Sequence, residues 1–356
     1  MQERVKRLQG LFDGIGVDAF YVTAPENRFY LSGFSGTSGA LLLCRDSSYL
    51  ITDFRYTSQA SRECPGFEII EAPGSGIEAL AGLCQKDRVS QLGCEGDDLT
   101  YARFQTLRQV LTGVALKPVS GVVEGLRLYK DDYELRCIEE AVRIADRAFT
   151  RITGIIRPGV PETEVALELE FLIRRLGADG IGFATIVASG TRSALPHGVA
   201  SAKIIEAGDL VTLDFGAVYR GYHSDITRMV VVGQTTPRQE NIYNIVLEAQ
   251  RSAIAAVQAG VRASEVDRAA RDIIKKNGYG DYFGHGTGHG LGLDIHEGPR
   301  LSAKDDTVLQ AGMAVTVEPG IYLPDWGGVR IEDTVLVENG GCRVLTGSPK
   351  DKLLSL

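Results

Sequence analysis

The chain has 356 residues, 44% of them hydrophobic, enough apolar material for one large domain or two of ordinary size. A net charge of -8, with no lysine or arginine run, argues against nucleic acid or a membrane surface as partner and leaves a small or neutral substrate. The charged first ten residues carry no signal-peptide core and no stretch of about 18 apolar residues occurs, so a cytoplasmic location is expected.

From Val5 to about Gly125, short apolar runs such as Ala19 to Val22 and Ala40 to Leu43 alternate with turn signals and helical stretches, which predicts an α/β domain over residues 1–125. This part contains no histidine. His197, His223, His285, His289 and His296 all fall after residue 190, so metal or acid/base chemistry is expected in residues 126–356, beyond a boundary near Val122 to Lys130. Cys44, Cys64, Cys84, Cys94, Cys137 and Cys342 form no Cys-x-x-Cys pair and no zinc-finger spacing, and they read as free thiols.

Asp131 and Glu134 have capping-box spacing, and Leu135, Ile138, Ala141, Ala145, Phe149 and Ile152 recur at helical intervals. A long amphipathic helix therefore opens the second domain, with Pro158-Gly159 as its expected stop. A second helix is expected from Pro161 to Leu176, before Gly177.

These helices recur. Glu140-Ala141-x-Arg143-x-Ala145 returns as Glu248-Ala249-x-Arg251-x-Ala253, and Gly159-Val160, Glu164-Val165 and Gly177 return 101 residues later as Gly260-Val261, Glu265-Val266 and Gly278. The strands follow: Val211-Thr212-Leu213-Asp214 matches Val315-Thr316-Val317-Glu318, and Asp225-x-Thr227 matches Glu332-x-Thr334. Two copies with a period near 100 residues are too few for a solenoid. They predict two fused α-plus-β halves about a pseudo-twofold axis, with one curved, mainly antiparallel sheet, helices outside and paired carboxylates inside.

Asp214 and Glu318 each end an apolar run, where an unpaired buried charge costs roughly 3 kcal/mol or more. Any one of the four acids reads as an ordinary salt bridge, Arg228 and Arg330 being close by. Duplicated acids on equivalent strands point instead to divalent cations, two rather than one. His289, within the glycine-dense run Gly284 to Gly290, reads as an imidazole presented to a metal from a strand or turn whose backbone can approach a ligand closely. No Gly-Lys-Ser/Thr ending supports a nucleotide loop. One imidazole among four carboxylates favours manganese, cobalt or iron(II), with zinc still able to bind, and metal-assisted hydrolysis is the expected reaction. His197 and His296 are candidates for binding the scissile carbonyl or passing a proton. His223 would share the face of Asp225 if that segment is a strand, and both it and His285 are expected in supporting or structural roles.

Leu213-Asp214-Phe215-Gly216, Ser224-Asp225-x-Thr227-Arg228, Gly286-Thr287-Gly288-His289-Gly290, Ile295-His296-Glu297, Val317-Glu318-Pro319-Gly320-x-Tyr322 and Arg330-Ile331-Glu332-Asp333-Thr334 resemble, in order and spacing, the pita-bread metallopeptidases. Asn27 to Phe34 and Thr52-Asp53-x-Arg55-Tyr56 resemble the creatinase-type N-terminal domain of the Xaa-Pro dipeptidases and aminopeptidases P within that superfamily. The resemblance implies an α/β N-terminal domain plus an α+β pita-bread domain. It makes Asp225 and Glu332 bridging ligands, Asp214 the chelating ligand of one ion, and His289 with Glu318 the remaining ligands of the other. Glu318 would also handle the protons of the attacking water. His197 and His296 would contact substrate and the tetrahedral intermediate, and Tyr322 and Arg330 would line the cleft.

The implied cofactor is a pair of divalent ions, manganese first, then cobalt, zinc or iron. The implied partners are peptides with proline second and, as a homodimer, a second copy of the chain. Arg330, two residues before Glu332, is expected to be occupied near the metals, and no other arginine is marked by sequence to hold a free carboxylate. The reading is therefore an Xaa-Pro aminopeptidase with an open cleft. Behind it stand an Xaa-Pro dipeptidase (prolidase), a methionine aminopeptidase and a metal-free pita-bread binding protein.

Overall fold

Two strands that are apolar along their whole length, Ala19–Val22 and Ala40–Cys44, form the centre of the sheet of the N-terminal unit, because a strand covered on both faces needs no alternation. The computed structural model describes residues 1–356, and the chain divides into the units Met1–Arg127 and Leu128–Leu356. In the first unit β1 (Ala19–Val22), β2 (Ala40–Cys44), β3 (Ser48–Thr52), β4 (Glu68–Glu71), β5 (Gln91–Glu95) and β6 (Ala115–Val119) form one sheet in the order β4-β3-β2-β1-β5-β6. β2 runs antiparallel to its neighbours and the other pairings are parallel. Pro118, which has no amide to donate, sits in the edge strand β6, where that loss is tolerated.

The second unit opens as its capping box dictates. Asp131 Oδ1 accepts from the amides of Tyr133 (2.9 Å) and Glu134 (3.0 Å), and Glu134 Oε2 accepts from the Asp131 amide (3.0 Å). The helix Asp132–Ile152 ends at a Thr153 cap, earlier than the Pro158-Gly159 stop that its periodicity suggested, where Gly154 weakens any continuation. Glu162–Arg175 follows.

The strands here are β7 (Gly180–Ile181), β8 (Ile186–Ser189), β9 (Leu210–Phe215), β10 (Ala217–Tyr219), β11 (Tyr222–His223), β12 (Ile226–Val231), β13 (Gly288–Gly290), β14 (Glu297–Leu301), β15 (Ala314–Val317), β16 (Gly320–Leu323), β17 (Gly327–Arg330), β18 (Asp333–Glu338), β19 (Gly341–Val344) and β20 (Leu354–Ser355). The duplication is structural as well as sequential. Glu162–Arg175 has its counterpart in Ala263–Lys276, of the same 14-residue length and 101 positions on (263 minus 162). Asp132–Ile152 has its counterpart in Pro237–Ala256. Each half has its own apolar core, one packed on β9 and β12 and the other on β15 and β18.

The curved sheet consists of two principal ladders, β20-β12-β9-β8 and β14-β13-β15-β18-β19, with β7, β10 and β11 in a small sheet and β16 and β17 as a hairpin. Its pairings are antiparallel except that β20 runs parallel to β12. The two ladders meet where the Glu332 amide donates to Thr227 O (3.2 Å) and Thr334 Oγ1 donates to Asp225 O (2.9 Å). That seam brings the acids together.

Candidate metal centre

Asp214 lies in the buried strand β9, opposite Thr227 of β12. Asp225 falls in the two-residue break between β11 and β12, and Glu332 in the equivalent break between β17 and β18. Glu318 directly follows β15. Both halves thus present an acid on or just past one strand and a second acid where the paired strand pauses, at positions where the side chain can turn inward without breaking the ladder.

His289 is the middle residue of β13. Its flanking glycines have a different use from the one expected of a loop that approaches a ligand. A Cβ on Gly288 would stand 2.0 Å from Thr316 O, and one on Gly290 would stand 1.9 Å from Gly298 O. They let neighbouring strand backbones close in, which seats the imidazole. His289 Nδ1 lies 3.0 Å from Gly290 O. With Nδ1–H bonded to that carbonyl, Nε2 keeps its lone pair for the site.

The ligating atoms of Asp225, His289 and Glu332 lie within 4.8 Å of one another. His289 Nε2 is also 3.3 Å from Glu318 Oε1 and 3.6 Å from Asp225 Oδ2. Asp214 Oδ2 accepts from Arg330 Nη2 at 2.5 Å, and Glu332 Oε2 accepts from Thr227 Oγ1 at 2.8 Å. Asp225 Oδ1 and Glu332 Oε1 are buried with no partner at all.

Burial, compounded by repulsion from the other acids, pushes Asp225 and Glu332 well above the ordinary carboxylate range. Asp214 rises for the same first reason, and Arg330 offsets part of it. Burial also acts on Glu318, but the hydrogen bond and charge of His289 prevail and hold it down at about 2. Orphaned buried carboxylate oxygens are costly, and divalent cations relieve both the lost solvation and the repulsion. The donor set, all oxygen but for one imidazole nitrogen, fits a hard or borderline divalent ion.

The acids open into a cavity of about 820 Å³ that His197, His296, Tyr322 and Arg330 also line. The His296 ring stands 4.4 Å from that of His289, edge to face. Burial, then the neighbouring His289 charge, lowers its pKa, so it is neutral near pH 7. Arg330 is occupied, as its place before Glu332 suggested. Besides Asp214 it bonds Thr227 Oγ1 (3.0 Å), Pro196 O (3.0 Å) and the Tyr322 hydroxyl (2.9 Å).

His285, expected in a supporting or structural role, lines the cavity, and its Nε2 lies 2.8 Å from the Tyr322 hydroxyl. His223 does not join the acids. Its strand ends before Asp225, so alternation does not carry through, and its Nδ1 meets Gly292 O at 3.3 Å.

Arg300 is the residue that the sequence reading missed. It is exposed in β14, in register opposite His289, and lines the same cavity. Its amide bonds Asp305, while its guanidinium has no ion pair or hydrogen bond. The signal was its position four residues after His296, hidden because a bulge at His289/Gly290 sets the register.

Residues 136–339 match the model of metallopeptidase family M24, and residues 4–129 match that of the creatinase/prolidase N-terminal domain. This chain belongs to metallopeptidase family M24. It is therefore a hydrolase of the pita-bread type with a creatinase-like first domain, as the motifs implied. The M24 chain is 49% identical to an Xaa-Pro dipeptidase from Bacillus anthracis, with a TM-score of 0.98 over 100% of this chain and 99% of that one. It is 42% identical to the Xaa-Pro dipeptidase of Pyrococcus furiosus, covering 99% and 100% of the two chains. An X-Pro aminopeptidase structure from Thermotoga maritima MSB8 is 38% identical, with a TM-score of 0.93 over 99% and 100%. No helix is long and apolar enough to cross a membrane.

Proposed function

We propose that this chain is an Xaa-Pro dipeptidase working with two divalent ions, manganese preferred, held by Asp214, Asp225, His289, Glu318 and Glu332. The observation that carries the dipeptide reading is Arg300, a cation in the cleft with no partner of its own. A dipeptide ends in a carboxylate directly after proline, and a guanidinium suits that group. The two dipeptidase relatives support the same choice. This reading displaces the longer-peptide aminopeptidase favoured by sequence, which rested on finding no free arginine.

Divalent ions in this site would cancel the carboxylate repulsion, polarise the scissile carbonyl and make a water acidic enough to attack near pH 7. The protein's own groups divide the remaining work. Glu318, a carboxylate facing the same cavity, accepts the proton of the attacking water and delivers it to the leaving imino nitrogen. His296, neutral and facing the cleft, donates to the oxygen that becomes negative, and His197 on the same wall orients the carbonyl. Arg330 fixes Asp214 and Tyr322, so these side chains need no reordering during turnover.

The test compares kcat/KM for Xaa-Pro and Xaa-Pro-Xaa with added manganese. Wild type is expected to prefer the dipeptide about 100-fold, and Arg300→Ala to lose most of that preference, since a charge-assisted hydrogen bond contributes about 1.5–3 kcal/mol. Equal or better cleavage of the tripeptide by wild type would restore the aminopeptidase reading.

A further inference from the structure

A second cavity, of about 660 Å³, lies wholly within the N-terminal unit. It sits beyond the carboxyl ends of four strands: Thr23 follows β1, Thr52 and Asp53 close β3, Ala72 and Gly74 follow β4, and Asp98 follows β5. That edge of an open α/β sheet is where ligands bind, because helix amides point there. Gly74 and Gly76 line it with positive φ (63° and 69°), and Gly76 begins the helix Ile77–Lys86 with no side chain capping its first amides.

Its charges give the cavity a chemistry. Arg28, only 4% exposed, lines it; Nη1 and Nη2 donate to the carbonyls of Gly39 (2.6 Å) and Gly36 (2.7 Å), no carboxylate pairs with it, and its Nε is buried without a partner. Arg103 lines the same space. It bonds the Tyr21 hydroxyl at 2.9 Å, has no ion pair, and also buries a partnerless Nε. Asp98 accepts from Thr23 Oγ1 at 2.6 Å and forms no ion pair. Asp53 stands apart because Arg55 already binds it twice, at 2.8 and 2.9 Å. One crevice thus holds two guanidinium groups and one carboxylate, none of them in an ion pair. Arg28 is buried, Arg103 half-buried and Asp98 exposed at the mouth, and a ligand carrying both signs would pair with all three.

We propose that this crevice binds a free α-amino acid, its carboxylate taken by Arg28, Arg103 and the amides that open Ile77–Lys86, its ammonium by Asp98. Orthophosphate or a nucleotide would satisfy the arginines but face Asp98 and Asp53. A simple amine would leave both arginines unpaired. Amino acids are also the product class of peptide hydrolysis, so the crevice would let the N-terminal unit sense what such a reaction releases.

The experiment is calorimetric titration of the full-length chain with L-glutamate, L-leucine, L-proline, orthophosphate and AMP. At least one amino acid is expected to bind one per chain, with affinity falling about tenfold or more in both Asp98→Asn and Arg103→Ala, the loss expected when a charged partner is removed. The partly exposed Arg103 keeps the test open should the Asp98 variant fold poorly. Affinity is expected to be unchanged in Arg300→Ala, whose altered residue lies in the other cavity. Absence of amino-acid binding, affinity indifferent to both crevice variants, or loss of affinity in Arg300→Ala would overturn the proposal. So would phosphate binding that needs Arg103 but not Asp98.

Discussion

Glu332 and Asp333 are adjacent, both buried and both acidic, yet the structure treats them in opposite ways. Asp333 is fully answered by protein: Arg228 Nη2 at 2.7 Å, Gln250 Nε2 at 2.8 Å, Thr346 Oγ1 at 2.6 Å, and Lys350 in direct contact. Burial raises its pKa, but Arg228 and Lys350 prevail and hold it below the ordinary value. Glu332 has Thr227 alone and keeps an orphaned oxygen. Burial of a charge does not therefore identify a functional acid in this fold. At Glu332 and Asp225 the unpartnered oxygen does.

The largest effect should separate the two by activity. Glu332→Gln is expected to lower kcat about 1000-fold or more, the several kcal/mol that a metal-assisted step contributes, and to reduce bound metal measured by emission spectroscopy. Near-wild-type turnover with full metal content in that variant would erase the contrast.

Stability gives the converse. Asp333→Asn leaves Arg228 and Lys350 facing a neutral group, and breaking a buried pair from one side costs about 3–5 kcal/mol, readable by urea unfolding. Metal stoichiometry is expected to stay at the wild-type level. If it falls with Glu332 intact, the two faces are not independent.

The smallest and most diagnostic effect lies in pH. For Asp225 and Glu332 the folded pKa lies above the unfolded one, so in the chelated chain their contribution favours folding below about pH 4 and is lost as pH rises through the folded values. For Asp333 the sign reverses: stability is present above 3.8 and is lost as pH falls through its lowered value. As pH rises above the ordinary carboxylate range, chelated wild type should lose stability more steeply than chelated Glu332→Gln, by about 1.4 kcal/mol per unit of raised pKa. A divalent ion should abolish the difference. Parallel pH curves for the two proteins would sink the account.

Much of this was legible before the fold was known, because duplication places Asp214 against Glu318 and Asp225 against Glu332 in one dimension as it does in three. The capping box at Asp131 and Glu134 fixed a helix start for the same reason, as both partners lie within one turn. Arg300 was not legible. Its meeting with His289 depends on a bulged register between strands, and no local pattern encodes which residue a bulge skips. Likewise Gln250, Thr346 and Lys350, which neutralise Asp333, come from segments up to 83 residues away.

The short strand β20 deserves a temporal reading. Leu354 and Ser355 run beside Val230 and Val231 of β12, and the Gly233 amide donates to Leu356 O. The edge of the first ladder is thus sealed by residues made more than a hundred positions later. During synthesis β12 can pair with β9 early, but its outer rim of amides and carbonyls stays open until the second half has emerged. An open rim invites pairing with other strands. In ordering the events of folding, the first copy of the repeat must wait for the end of the second.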